Sequence, residues 1–254
     1  MTETYRTLTD LQILVVRALR LSLRNVDGLI TALVLPPMLM FVFVYFFGGA
    51  IHTGGPYIDF VVPGVLLVCV GFGAGTTAVS VAQDLSGPIV DRLRSMDVRG
   101  ESLIAGHVVA SVARNLISAA LAVSIAFAIG YRSPAGPLHW LAAVALLTLF
   151  VVAISWFAAA IAILVRSPEA AQGITFVISF LPYPSSAFVP VSTMPSWLRP
   201  FAANQPVSQV VDAIRALLAG GSPGAAAWHS IAWSAGILVV SVGLAGALFG
   251  RRAG

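Results

Sequence analysis

The sequence predicts an all-α polytopic membrane protein with six transmembrane helices and both termini in the cytoplasm. The 254-residue chain is 58% hydrophobic, only 9% charged, and has a mean hydropathy of +0.94. A soluble domain is usually just under half apolar, so this composition indicates a bilayer environment. Six apolar runs are long enough to cross a membrane, and arginine is concentrated in alternate segments between them.

An amphipathic helix is predicted for residues 5–26, ahead of the first apolar run. Apolar side chains recur there at helical spacing, and a basic face is formed by Arg6, Arg17, Arg20 and Arg24. A narrow apolar stripe backed by arginine is typical of a helix that lies in the headgroup plane of an anionic leaflet. The alternative is that a cytosolic partner binds the basic face. Since nothing here has the pattern of a cleavable leader, we expect no removal of this segment.

The six apolar runs each reach the roughly 20 residues that a helix needs to cross the hydrocarbon core. With the N-terminus inside, the outer segments hold only three arginines, Arg132, Arg199 and Arg215, and the inner segments hold nearly all the others. This positive-inside bias places both termini in the cytoplasm. The runs cover residues 29–48, 58–82, 103–130, 138–165, 170–191 and 230–250.

The third run carries Arg114, where a charge facing lipid would be expensive. The run is too long for one crossing, so we expect residues 101–114 to form an interfacial helix and the span to begin near Leu116. We then expect Arg114 to extend to the inner headgroups rather than to contact a substrate.

The outer segment, residues 192–229, follows a fifth run that Pro182 and Pro184 interrupt. Apolar residues recur at helical spacing within it until Gly220 and Gly221, which predicts an amphipathic outer helix before the sixth span. Re-entry of this helix into the outer leaflet and simple interfacial packing both explain the pattern.

The densest run of charge lies in residues 86–99, between the second and third spans. Ser86, Gly87 and Pro88 suit a helix start, with Ser86 as the cap. A short helix there has an apolar ridge of Ile89, Leu93 and Met96, flanked by charged side chains. Such a ridge suits a groove on another protein, although a solvated connecting loop would also fit the composition.

Catalytic signatures are missing from the sequence. All basic residues are arginine, so the chain has no phosphate-binding loop lysine, and any ATP hydrolysis must come from another polypeptide. The four histidines have no H-E-x-x-H spacing, there is no G-x-S-x-G, and no pair of carboxylates lies inside a span. We therefore expect no catalytic, cofactor-binding or metal site in this chain.

Several motifs nevertheless resemble those of a known family. They are Gly-Pro-Ile-Val-Asp-Arg-Leu-Arg-Ser-Met at 87–96, Gly-His-Val-Val-Ala at 106–110, Ala-Arg-Asn at 113–115, Ser-Ala-Phe-Val-Pro at 186–190, Met-Pro-Ser-Trp-Leu-Arg-Pro-Phe-Ala at 194–202 and Asn-Gln-Pro-Val at 204–207. In this order the motifs resemble the membrane subunit of type-2 ABC exporters, in particular the daunorubicin-resistance permease branch of actinobacteria. The resemblance covers nearly the whole chain, so residues 1–254 are expected to form a single transmembrane domain.

The resemblance implies a permease that pairs with a second copy of itself, or with a paralogous permease, and with two copies of a separate ABC ATP-binding subunit. That partner would bind ATP and Mg, while membrane lipid surrounds the permease and no nucleic acid is involved. The stretch matching 87–96 would be the coupling helix that docks on the ATPase. Asp97 stands where the family often has proline, and Ser186 where it often has asparagine. The implied contact residues are Pro88, Ile89, Val90, Asp91, Arg92, Leu93, Arg94 and Met96.

The function implied by the resemblance is export of a hydrophobic or amphiphilic compound, such as a drug, an antibiotic or a lipid-like metabolite, across a bacterial inner membrane. The chain would be a transport subunit and not itself an enzyme. A permease for polysaccharide or glycolipid export is one alternative, since aromatic residues are dense at 41–47. A non-transporting membrane scaffold is another.

Overall fold

The computed structural model of the chain describes residues 3–87, 100–165 and 167–253, and these residues form helices joined by turns and loops, with no β-strand among them. A π-helical turn, Phe43–Phe47, extends the helix that ends at Val42, and a 3₁₀ turn, Val191–Thr193, precedes the short helix that begins at Arg199. In chain order the helices are α1 (Glu3–Arg24), α2 (Val26–Val42), α3 (Tyr57–Ser86), α4 (Gly100–Ala128), α5 (Pro137–Leu164), α6 (Pro168–Phe180), α7 (Arg199–Asn204), α8 (Pro206–Leu218) and α9 (Gly224–Ala253).

Within the described residues, five helical stretches are long and apolar enough to cross a membrane. The polytopic, all-helical fold class is thereby confirmed. The run at residues 170–191 is not among the five, because α6 ends at Phe180 and a series of turns containing Pro182 and Pro184 follows. The six-span count stays a prediction. The five stretches are Ile30–Phe47, Tyr57–Ser86, Ser102–Ala128, Pro137–Leu164 and Gly224–Leu248.

Helix α3 is the centre of the bundle. It packs against α2, α4, α5, α6 and α8, and its side chains are buried along most of its length. Small residues permit this close approach. At Gly64 an added Cβ would lie 2.5 Å from the carbonyl oxygen of Ala187, so the turn after α6 rests directly on the α3 backbone.

Helix α1 packs mainly against α4, at the end of the bundle where α3 finishes. Leu14 and Ala18 are buried in that contact, and an added Cβ at Gly106 of α4 would lie 3.1 Å from the Leu14 backbone. Ile13 and Val16, on another face of α1, are exposed. The apolar surface of α1 is therefore divided between the bundle and its surroundings.

Helix α4 is continuous from Gly100 to Ala128. The prediction of a separate interfacial helix at residues 101–114 is therefore wrong.

At the opposite end of the bundle from α1, helix α8 packs against α3, α5 and α9. The apolar residues that recur along it face these helices and are buried: Val207, Val210, Val211, Ile214, Leu217 and Leu218.

Candidate functional site

Three side chains from α1, α3 and α4 meet at the α1 end of the bundle, and we call Arg17, Asp84 and His107 the junction. Arg17 binds Asp84 with both terminal nitrogens, Nη1 donating to Oδ2 at 2.7 Å and Nη2 donating to Oδ1 at 2.8 Å. His107 Nε2 lies 2.8 Å from the same Oδ2. His107 and Asp84 are buried, and Arg17 is partly buried. One carboxylate thus holds three helices together.

The surroundings explain why these residue types occur together. Asp84 lies in the last turn of α3, where the negative end of the helix dipole disfavours a carboxylate. The bidentate guanidinium of Arg17 offsets this cost, since paired charge-assisted hydrogen bonds are among the stronger polar contacts. The hydrogen bond to Asp84 in turn raises the pKa of Arg17 above its usual value, so the α1 partner remains charged.

A second polar contact joins the same three helices deeper in the bundle, around Arg114 of α4. Its Nη2 donates to the carbonyl oxygen of Gly73 at 3.3 Å and to Oγ1 of Thr77 at 3.0 Å, and its Nη1 donates to Oγ of Ser22. Arg114 is only 9% exposed. The prediction that it extends to the headgroups is therefore wrong, because α1 and α3 supply its acceptors inside the protein.

Helix α4 also contacts α5 through hydrogen-bonded polar side chains. Asn115 Nδ2 donates to the carbonyl oxygen of Ser111 at 2.9 Å, and Ser111 Oγ accepts from Ser155 Oγ at 2.9 Å. Asn115 fills the space beside Gly73, where an added Cβ would lie only 2.2 Å from Asn115 Oδ1. Glycine is needed at position 73 because α3 and α4 approach so closely there.

The structure separates the residues that the sequence grouped as a basic face. Arg20 and Arg24 are exposed, whereas Arg17 turns inward to the junction. Arg6 lies in α1, but its side chain is outside the described residues. The predicted partner contacts, from Pro88 to Met96, also lie outside the described residues. They fall within the segment of residues 88–99, whose two flanking helices the junction ties together.

Asp84 and His107 were not predicted from the sequence to take part in a site. The sequence pattern placed Asp84 in the inner loop because the apolar run stops at residue 82, whereas α3 continues to Ser86. Ser86 is the last residue of α3, and its Oγ donates to the carbonyl oxygen of Ala82; the helix that it was expected to cap lies outside the described residues. A carboxylate in the last turn of a long apolar helix was the available signal for a charged partner.

The opposite end of the bundle is held by Arg215 of α8. Its Nε and Nη2 donate to the carbonyl oxygen of Phe60 at 3.2 and 3.1 Å, and its guanidinium carbon lies 3.8 Å from the centre of the Phe60 ring. Nη1 donates to Asp212 at 2.6 Å, and Ser186 Oγ donates to the same Asp212 oxygen at 2.8 Å. Burial lowers the pKa of Arg215.

Comparison with known proteins agrees with this architecture. The family model described as ABC-2 type transporter matches residues 9–219. The chain belongs to the ABC-2 transporter family. The matched range of this ABC-2 chain begins within α1 and ends just after α8, so it contains the junction, the Arg114 contacts and the Arg215 contacts. The family resemblance predicted from the motifs is confirmed.

Two relatives are drug-resistance permease proteins. The ABC-2 chain is 28% identical over 194 residues to the daunorubicin resistance ABC transporter permease protein DrrB1 of Streptomyces coeruleorubidus, covering 76% of this chain and 69% of that protein. It is 25% identical over 221 residues to the probable doxorubicin resistance ABC transporter permease protein DrrC of Mycobacterium tuberculosis, covering 85% of this chain and 79% of that protein.

Proposed function

We propose that this chain is the permease subunit of an ATP-driven ABC exporter for a hydrophobic or amphiphilic compound. The observation that carries the proposal is the junction, in which Arg17, Asp84 and His107 bind α1, α3 and α4 together. Helices α3 and α4 flank residues 88–99, so a force applied to that segment acts on all three helices at once.

The force would come from a separate ATP-binding subunit, two copies of which bind ATP and Mg. The family and the names of its members support such a partner, and the lack of lysine in this chain is in keeping with it. In this mechanism the segment from Pro88 to Met96 is the coupling helix. Closure of the ATPase pair moves it, and the contacts of Arg114 with α1 and α3 carry the displacement deeper into the bundle.

The proposed assembly is a homodimer, or a pair with a paralogous permease, in a bacterial inner membrane with cytoplasmic termini. Exposed, largely apolar residues recur along one face of α2 and of the π-helical turn that extends it, which supports a surface that faces lipid or a second subunit. These residues are Val26, Ile30, Val34, Met38, Phe41 and Tyr45. The topology predicts that Cys at Ser95 is labelled only from the cytoplasm and Cys at Ser222 only from outside, in a Cys69→Ser background.

A cavity of about 350 Å³ between α2, α3 and α6 supports an amphiphilic substrate. Its lining mixes amide and hydroxyl groups with aromatic rings, which suits a compound with both apolar and polar parts. The aromatic residues of Phe43–Phe47, on which the polysaccharide alternative depends, are not part of this lining. The lining includes Asn25, Thr31, Phe72, Thr76, Gln172 and Phe176.

The decisive experiment is reconstitution of the permease with an ABC ATP-binding subunit from the same organism. We expect a stable complex, ATPase activity stimulated by doxorubicin, and ATP-dependent doxorubicin accumulation in inside-out vesicles. Replacing the phosphate-loop lysine of the partner should abolish accumulation, and the permease alone should hydrolyse no ATP. Accumulation by the permease without its partner would refute the proposal.

A further inference from the structure

Two cavities lie side by side at the end of the bundle opposite α1. The first, of about 320 Å³, has a lining that includes the polar side chains of Thr53, Asp59, Tyr131, Arg132 and Arg215, and we call it the head pocket. The second, of about 450 Å³, lies between α3, α4, α5 and α8, and we call it the apolar groove. Lining residues of the apolar groove include Leu66, Leu116, Ala120, Trp140, Val144 and Ile214.

The two cavities adjoin at one shared residue. Leu218 of α8 lines both of them and is only 2% exposed, so it marks the place where they meet. The ring of Phe127 lies 5.5 Å from that of Tyr131 in the head pocket and 6.0 Å from that of Trp140 in the apolar groove. A ligand with a polar part and an apolar part can therefore occupy both cavities at once.

The apolar groove suits a hydrocarbon chain. Its serine, Ser124, donates its hydroxyl to the carbonyl oxygen of Ala120 at 2.8 Å, so this polar group is already satisfied. An apolar cavity of about 150 Å³ holds one benzene molecule, and the groove is several times larger. Helices α3, α4 and α5 are candidate spans, so lipid hydrocarbon is the medium that meets the groove.

The head pocket carries one charge of each sign, Arg132 and Asp59, that forms no ion pair within the described part of the chain. The positive charge of Arg215 is used by Asp212 and by backbone carbonyls. Arg132 is exposed, and its Nη1 donates to the carbonyl oxygens of Phe127 and Tyr131 at 2.9 and 2.8 Å, which holds the guanidinium in the pocket lining. Asp59, in the first turn of α3, is only partly buried in the same lining.

We propose that the head pocket and the apolar groove form one binding site for a zwitterionic phospholipid of the adjacent leaflet. The phosphate pairs with Arg132, the ammonium group pairs with Asp59, and one acyl chain fills the groove. A guanidinium matches phosphate geometry, and a lipid bearing only negative charge would meet Asp59 as a like charge. The bound lipid acts as a wedge between α4, α5 and α8, a role separate from ATP-driven export.

Native mass spectrometry of the purified permease tests whether an acyl chain occupies the apolar groove. The protein is delipidated in detergent and titrated with phosphatidylethanolamine or phosphatidylglycerol, with no ATPase present, so failure of the export proposal does not affect the result. We expect tight retention of one phosphatidylethanolamine by the wild type and its loss in Ala120→Phe, which fills the groove. The matched control is Ala128→Phe, an exposed alanine of the same helix outside the groove lining. Equal retention in both variants would overturn the site.

The headgroup part is tested by Arg132→Gln and Asp59→Asn. Each should weaken phosphatidylethanolamine binding by roughly two- to fivefold, the range expected for partly exposed ion pairs. Asp59→Asn should also reduce the ratio by which the permease binds phosphatidylethanolamine more tightly than phosphatidylglycerol. Arg199→Gln is the control, because Arg199 is an exposed arginine that also bonds a backbone carbonyl, that of Met194. No change in either pocket variant would show that the charges do not select the lipid.

Fluorescence quenching tests for an acyl chain in the groove without a groove-filling variant. Its result therefore does not depend on the folding of Ala120→Phe. Phosphatidylethanolamine with brominated acyl chains should quench the wild type more strongly than Trp140→Phe, because Trp140 lines the groove and the bromine atoms would contact it. Equal fractional quenching of the two proteins would exclude a chain in the groove.

Discussion

Arg17 of α1 and Asp84 of α3 are 67 residues apart in the chain and form a bidentate ion pair at 2.7 and 2.8 Å. His107 of α4 adds a contact to the same carboxylate. The pair places a fixed link between the N-terminal helix and the two helices that flank residues 88–99.

Breaking the link should weaken the stimulation of the partner ATPase by the permease. Asp84→Asn leaves the partly buried guanidinium of Arg17 without its counter-charge, so we expect a loss of about 1–3 kcal/mol of stability and a several-fold drop in stimulated ATPase activity. A double-mutant cycle with Arg17→Gln should give a coupling energy of similar size. Arg20→Gln, an exposed arginine of the same helix, is the control. Additive effects of the two junction variants would contradict direct coupling.

Gly73→Ala should destabilise the bundle. The new methyl group would lie 2.2 Å from Asn115, so α3 and α4 must separate or Asn115 must move, at a cost of about 1–3 kcal/mol. Gly236→Ala is the matched control, since it is a helical glycine whose added Cβ meets nothing within 4 Å in the described part of the chain. It should be neutral or gain up to about 1 kcal/mol. Thermal unfolding in detergent measures both, and equal melting temperatures would argue against the close contact.

Leu93→Asp should abolish partner stimulation while leaving membrane insertion intact. The substitution places a charge in the apolar ridge of the proposed coupling helix, where docking would bury it without a partner. We expect at least a roughly tenfold loss of stimulated ATPase activity, whereas Leu93→Met should retain most of it because its volume and polarity are similar. Normal stimulation in the aspartate variant would remove this residue from the contact.

Phe176→Ala should weaken drug transport by raising the apparent KM. We expect an increase of about two- to tenfold, which corresponds to the loss of one aromatic contact with the drug. Phe176 lines the cavity between α2, α3 and α6 and is 62% exposed. Phe201→Ala removes a similarly exposed ring, at 53%, that is not part of the cavity lining. Vesicle accumulation assays over a range of doxorubicin concentrations would compare them. The same KM shift in both variants would point to a general packing effect.

The long apolar runs were predictable because hydropathy depends on the residues within one window. Five of the six correspond to helical stretches long enough to cross a membrane, whereas the run at residues 170–191 does not, since α6 ends at Phe180. Pro182 and Pro184 follow this helix and are visible in the sequence, but the residue at which the helix ends is not. Helix ends depend on backbone hydrogen bonding that composition does not report.

The sequence by itself determined the membrane class, the helical architecture and the family motifs. Those features follow from composition and from local spacing. Only the tertiary structure decided that Arg17 turns away from Arg20 toward Asp84, and that Arg114 is bound internally. In a low-dielectric bundle a charged side chain takes whichever acceptors the neighbouring helices place beside it, and helix packing brings together residues that are distant in the chain.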